Sequence, residues 1–117
     1  MAASTDPADL DQSKRVFPWG SEAPDFSRAN TDWRAMGCID ASAFPDGDSA
    51  FGCRQMIGNV WEWCSDLYDD GQDNCVLRGG SWDNLSFGLR IADRSFHLPN
   101  DADNYFGFRC VVELSEF

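Results

Sequence analysis

Three stretches of this chain carry apolar residues at strand spacing, and turn-forming text separates them. In Met56-Ile57-Gly58-Asn59-Val60-Trp61-Glu62-Trp63-Cys64, alternation sets Val60, Glu62 and Cys64 on one face and Trp61 and Trp63 on the other. Cys75–Trp82 is a second strand candidate, and its Gly79-Gly80 pair marks a bulge or a close backbone approach. Phe106–Leu114 is the third. Residues 1–14 are small, polar and acidic without apolar period, so they read as a flexible N-terminal arm. Residues 15–117 read as one domain. From 20 to 50 the text is turn chemistry, such as Phe-Pro-Asp-Gly-Asp, with room for a short turn of helix in Ser27–Met36. Between the second and third strands, residues 83–106 show no period. A compact domain rarely keeps so long a loop without a functional reason.

Composition supports a folded body. Of 117 residues, 43% are hydrophobic and 14% aromatic, too apolar for a disordered chain. Ten Gly and five Pro favour a turn-rich architecture over a helical bundle. The net charge of −11 repels phosphate, which argues against nucleic acid and against an anionic membrane surface. No run approaches the ~18 apolar residues of a transmembrane helix, and the N-terminus lacks the order of a signal peptide. The expectation is a soluble acidic module without membrane insertion.

Five cysteines, at 38, 53, 64, 75 and 110, cannot all pair within one chain. None is spaced C-x-x-C, which excludes zinc-finger and thioredoxin readings. One or two disulfides, or buried free thiols, both fit.

Three motifs then stand together: Phe17-Pro18-Trp19-Gly20; Phe51-Gly52 followed by Gly58-Asn59-Val60-Trp61-Glu62-Trp63-Cys64; and Arg78-Gly79-Gly80-Ser81-Trp82 with Gly107-Phe108-Arg109-Cys110. In order and spacing this set resembles the formylglycine-generating enzyme (sulfatase-modifying factor) family across residues 15–113. The resemblance implies an α+β domain of the C-type lectin fold, pared down, with a small antiparallel sheet, long ordered loops and little helix. Trp61, Trp63, Trp82 and Phe108 are then expected in the core. Arg78, Arg90, Arg94 and Arg109 fall on motif positions and are expected to tie loops to the frame through bidentate bonds.

The family's enzymes hold copper through two thiolates shortly after the Gly-Gly-Ser-aromatic motif. Residues 83–92 here contain no cysteine, and Ser, Asn and Asp do not replace thiolate for Cu(I). The single histidine, His97, also excludes a histidine-rich iron site. No catalytic constellation is expected. The resemblance implies a structural calcium on the carbonyls of Gly58 and Val60 and the carboxylate of Glu62. The competing reading pairs Glu62 with a core arginine.

Residues 83–106 contain no Gln, Glu, Lys, Met or Trp, although these five types fill sixteen of the other 93 positions. They are the types that codons ending in a pyrimidine cannot encode. An Asn codon mutated at its two adenines reaches every other type and never a stop. That range, in a frame of Gly-Gly-Ser-Trp and Gly-Phe-Arg-Cys, resembles the variable region of diversity-generating retroelement variable proteins. The resemblance implies a non-catalytic, receptor- or adhesin-like module whose partner is a protein or cell-surface ligand. It also implies display on a virion or cell surface as part of a larger protein. The expected contact residues are Asp83, Leu85, Ser86, Phe87, Gly88, Ile91, Asp93, Ser95, Phe96, His97, Leu98, Asp101, Asp103 and Tyr105, with Phe106 open between core and surface. Mixed aromatic and small polar side chains suit such a surface. The alternative is an ordinary family domain, either a fragment of an enzyme or a non-catalytic paralogue.

Overall fold

The computed structural model describes residues 16–69, 73–86 and 89–114. The expected arm at 1–14 and the contact candidates Phe87 and Gly88 lie outside them. Four short strands form one sheet: β1 (Trp61–Leu67), β2 (Cys75–Arg78), β3 (Arg94–His97) and β4 (Phe106–Gly107). Their spatial order is β3-β2-β1-β4. β1 and β2 pair antiparallel, with Trp63 opposite Leu77 and a bulge between Trp63 and Leu67. β3 adds antiparallel to β2, Leu77 facing Ser95. β4 runs parallel to β1, with Trp61 opposite Phe106. The sheet is therefore mixed rather than antiparallel. Among the described residues helix reduces to one 3-10 turn at Pro45–Gly47, and Ser27–Met36 forms turns instead of a helical one. No helix among the described residues is long and apolar enough to cross a membrane.

Long loops supply most of the body, and backbone bonds fasten them to the sheet. Gly58 N donates to Gly79 O at 2.7 Å, Asn59 N to Asn30 O, Trp82 N to Asn59 O, and Trp33 N to Trp82 O. The close approach expected at Gly79-Gly80 is real. Gly79 has φ +99°, and a Cβ there would lie 2.8 Å from Met56 O. Beneath these loops sit Ala29, Ile57 and Leu89 with Trp19 against them, while Val76, Leu77 and Trp82 are also buried.

Asn59 is the main polar tie. Its backbone is left-handed (φ 68°), a conformation asparagine tolerates better than most residues. Its Oδ1 accepts from Ile39 N at 2.9 Å and from Asn30 Nδ2 at 3.1 Å. One side chain thus holds segment 30–39 to the strand entry.

Three expectations need correction. The third strand was expected over Phe106–Leu114 but pairs only at Phe106 and Gly107. Phe108, expected in the core, is 76% exposed, because the chain leaves β1 at Gly107 and no described strand lies beyond it. Trp61 and Trp63 are half-buried, leaving Trp82 as the fully buried member of the group. All five cysteines are free; Cys38 and Cys110 are exposed and the others are half-buried. Burial pushes the Cys64 thiol up from its ordinary pKa.

Hydrogen bonds hold several loop carboxylates below their ordinary pKa. The Ser27 hydroxyl and amide hold Asp25 low, and the Ser42 hydroxyl and amide hold Asp40 low. Arg54 does the same to Asp48 through two bonds of 2.9 and 3.0 Å. Each pKa is depressed in the folded state, so its stabilisation is present above the unfolded value of about 3.9 and is lost as pH falls through the folded value. Melting temperature is expected to fall as pH drops below about 4. An acid titration followed by thermal melting checks this.

Candidate ligand-binding face

The sheet's alternation divides the expected contact residues. Residues paired directly across strands share a face. Ser95 and His97 therefore lie with Leu77 and Cys75, whereas Phe96 lies with Val76 on the other side. Phe96 is exposed and packs tilted against Tyr68, ring centroids 4.5 Å apart, and Arg94 covers the Tyr68 ring at 4.3 Å. Ile91 is drawn inward: its N donates to Val16 O, and its carbonyl accepts from Arg78 Nη1 at 3.1 Å. Asp93 caps the turn at Arg90, accepting from its amide at 2.9 Å. These three candidates serve the frame or the opposite side.

Asp83, Asp103, Tyr105, His97 and Asp101, with Phe106, are linked by successive contacts that start at Trp82. Trp33 sets its ring edge-on to Trp82, centroids 4.9 Å apart, and Trp82 Nε1 donates to Asn104 O. Asp83 follows Trp82 and accepts from the Ser81 hydroxyl. The neighbouring Asp103 carboxylate, then burial and the charge of Asp83, push the Tyr105 phenol above its usual pKa. Tyr105 packs edge-on against Phe106 at 5.0 Å, and Phe106 lies 4.7 Å from the His97 ring. His97 Nδ1 meets Asp101 Oδ2 at 3.1 Å, and the same oxygen accepts the Leu98 amide. Leu85 and Leu98 are exposed. Ser86 is anchored by its amide to Asp32 Oδ1 at 3.0 Å. The Ser86 amide and the Thr31 hydroxyl hold Asp32 low against the opposing effect of burial.

Trp33 and Asp32 escaped the sequence reading. Both are left-handed (φ 61° and 57°), a conformation costly for a bulky side chain such as tryptophan. Their amides donate to Trp82 O and Asn84 O, which offsets that cost and presents the half-exposed indole beside residues 83–85. The only sequence signal was turn chemistry at Asn30-Thr31-Asp32.

Glu62 resolves toward an ion pair. Arg109 Nε and Nη2 bind its two carboxylate oxygens at 2.6 and 2.7 Å, and Nη2 also reaches the carbonyls of Arg54 and Gln55. Gln55 leaves a buried Oε1 without a hydrogen-bond partner, a hard donor of the kind calcium takes. A divalent ion on Gly58, Val60 and Glu62 would nevertheless share its carboxylate with a guanidinium already seated there, and like charges repel. In this geometry Arg109 already occupies both oxygens of Glu62, which favours the ion-pair reading. EDTA is expected to leave the melting temperature unchanged, and added calcium to do the same. A chelator-dependent fall of several degrees would refute this.

Arg109 makes the expected bidentate bond, while Arg78 ties in residue 91 through a single bond to its carbonyl. Arg90 and Arg94 are exposed, and Arg94 contributes through the Tyr68 ring rather than through a carboxylate.

Residues 2–114 match the model of the sulfatase-modifying factor enzyme 1-like domain. Hercynine oxygenase of Mycobacterium tuberculosis is 34% identical over 130 residues, covering 97% of this chain and 30% of that protein. Inactive C-alpha-formylglycine-generating enzyme 2 of Mus musculus is 32% identical, covering 86% and 33%. The chain thus spans about a third of the length of these curated relatives. Among solved structures, PvdO from Pseudomonas aeruginosa superposes with TM-score 0.69 at 24% identity, over 86% of this chain and 46% of its own. Treponema denticola variable protein 1 does so with TM-score 0.62 at 21% identity, over 70% and 34%. At these identities the structural likenesses speak to fold alone. With motifs, mixed sheet and long ordered loops in agreement, the chain belongs to the sulfatase-modifying factor enzyme 1-like family and has its C-type-lectin-type fold.

Proposed function

We propose that the domain is a non-catalytic binding module. Its diversified surface is the track from Trp33 and Leu85 through Asp83, Tyr105 and Phe106 to His97 and Asp101. One observation carries the reading. The segment lacking five residue types supplies nearly all of this track, and Leu89 is its one buried residue among those described, whereas Leu77, Ser81 and Trp82 are buried and lie outside it. Side chains can then vary on the track without emptying the core, which separates recognition from stability. Aromatic rings supply contact area at low entropic cost, and Asp83, Asp101 and Asp103 add acceptors. The fold shared with a protein named as variable supports this use of the scaffold.

The partner is a protein or other cell-surface ligand. A face this rich in carboxylates disfavours nucleic acid. Display on a virion or cell surface as part of a longer protein suits the role. A copper-dependent oxidase role, as the family resemblance implies, would need thiolate ligands from outside residues 83–106. Residues 83–106 contain no cysteine, and His97 is engaged by Asp101.

Sequencing the locus across a cell population tests the diversification. Substitutions are expected within codons 83–106, at positions that are adenine in an invariant template copy nearby. Uniform codons with no template copy would overturn it.

A further inference from the structure

We propose that segment 108–114 pairs antiparallel with the same segment of a second copy of this chain, with Val111 on the two-fold axis. β4 is the terminal strand of the sheet, and beyond Gly107 no described strand pairs with the chain. The segment that follows, Phe-Arg-Cys-Val-Val-Glu-Leu, has no glycine or proline and is rich in strand-forming side chains. Val111, Val112 and Leu114 are 86%, 78% and 86% exposed, and Phe108 is nearly as open. An apolar edge of this length is a template for strand addition.

The order of chemistry identifies the occupant. Around Val111 the segment reads apolar, cation, apolar, then apolar, anion, apolar. Antiparallel pairing about that residue sets Phe108 opposite the second copy's Leu114, Arg109 opposite its Glu113, and Cys110 opposite its Val112. The Arg–Glu pair forms twice across the axis, and no like charges face each other. That matters for a chain of net charge −11, which otherwise repels its own copy. Arg109 spends Nε and Nη2 on Glu62, so Nη1 remains on the side chain to meet the second Glu113. Such an interface is isologous, closing as a dimer rather than growing into a fibre.

Sedimentation of the full chain, with cross-linking in a Cys38→Ser/Cys110→Ser background, tests this. The expected mass is that of a dimer at micromolar concentration. Val111→Cys is expected to form a disulfide-linked dimer on oxidation, because residues facing across an antiparallel pair lie within disulfide reach. Phe108→Cys is expected not to link to itself, since its two copies would stand roughly 20 Å apart along the strands. Val111→Lys is expected to raise the dimer dissociation constant about tenfold or more, with near-UV dichroism unchanged because the site is exposed. A monomer at every concentration would overturn the proposal. Equal cross-linking at 108 and 111 would overturn the register.

Discussion

Replacing Trp82 by alanine is expected to cost about 3–5 kcal/mol, the range for deleting a large buried aromatic. Trp82 is 6% exposed, and three segments converge on it. Its amide donates to Asn59 O and its carbonyl accepts from Trp33 N. Its ring backs the Trp33 indole, and its Nε1 holds Asn104 O. The backbone bonds survive truncation, so the loss is the ring's volume and its contacts. Trp82→Phe should recover part of it, since a smaller ring still fills much of the space. Denaturant unfolding of the three proteins measures the series. A loss below about 1 kcal/mol, typical of a surface site, would mean that the loops are held by something other than this ring.

The second large effect is expected at Asn59. Asn59→Ala removes the acceptor for Ile39 N and for Asn30 Nδ2, leaving part-buried donors unsatisfied, and places alanine at φ 68°. Unsatisfied donors cost roughly 1–3 kcal/mol each, partly relieved where water enters. The total should be about 2–4 kcal/mol. Asn59→Gly separates the contributions: glycine accepts the left-handed backbone readily, so it restores the conformational part and none of the hydrogen bonds. The expected order is wild type, then glycine, then alanine, read from urea midpoints. Glycine equal to wild type would show that the side-chain amide contributes nothing.

Much of this architecture was legible in the chain, for physical reasons that differ by residue. Alternation at Trp61-Glu62-Trp63 placed Glu62 opposite the tryptophans, and the structure puts it on Arg109 while Trp63 meets Phe106. Gly79-Gly80 announced a close approach because only glycine fits beneath Met56 O and Leu89. Phe108 misled, since a β-rich run pairs only if a neighbour is present, and pattern does not reveal the neighbour. The two-sided nature of residues 83–106 was hidden for a related reason. β3 lies inside that segment, and its period-two alternation sends Phe96 away from His97. Trp33 was invisible because its position depends on bonds to Trp82 and Asn84, more than forty residues along the chain.

That partition gives the central claim its most direct test. Two display libraries are built on this domain, one randomising Asp83, Leu85, His97, Asp101, Asp103 and Tyr105, the other randomising Ile91, Asp93 and Phe96 with exposed residues around Tyr68. Both are selected against the same panel of unrelated folded proteins, and thermal melts are run on unselected clones. The account predicts binders from the first library, with each exposed substitution costing within ~1 kcal/mol, and few or none from the second. Binders arising only from the second library, or a first library whose members fail to fold, would contradict it.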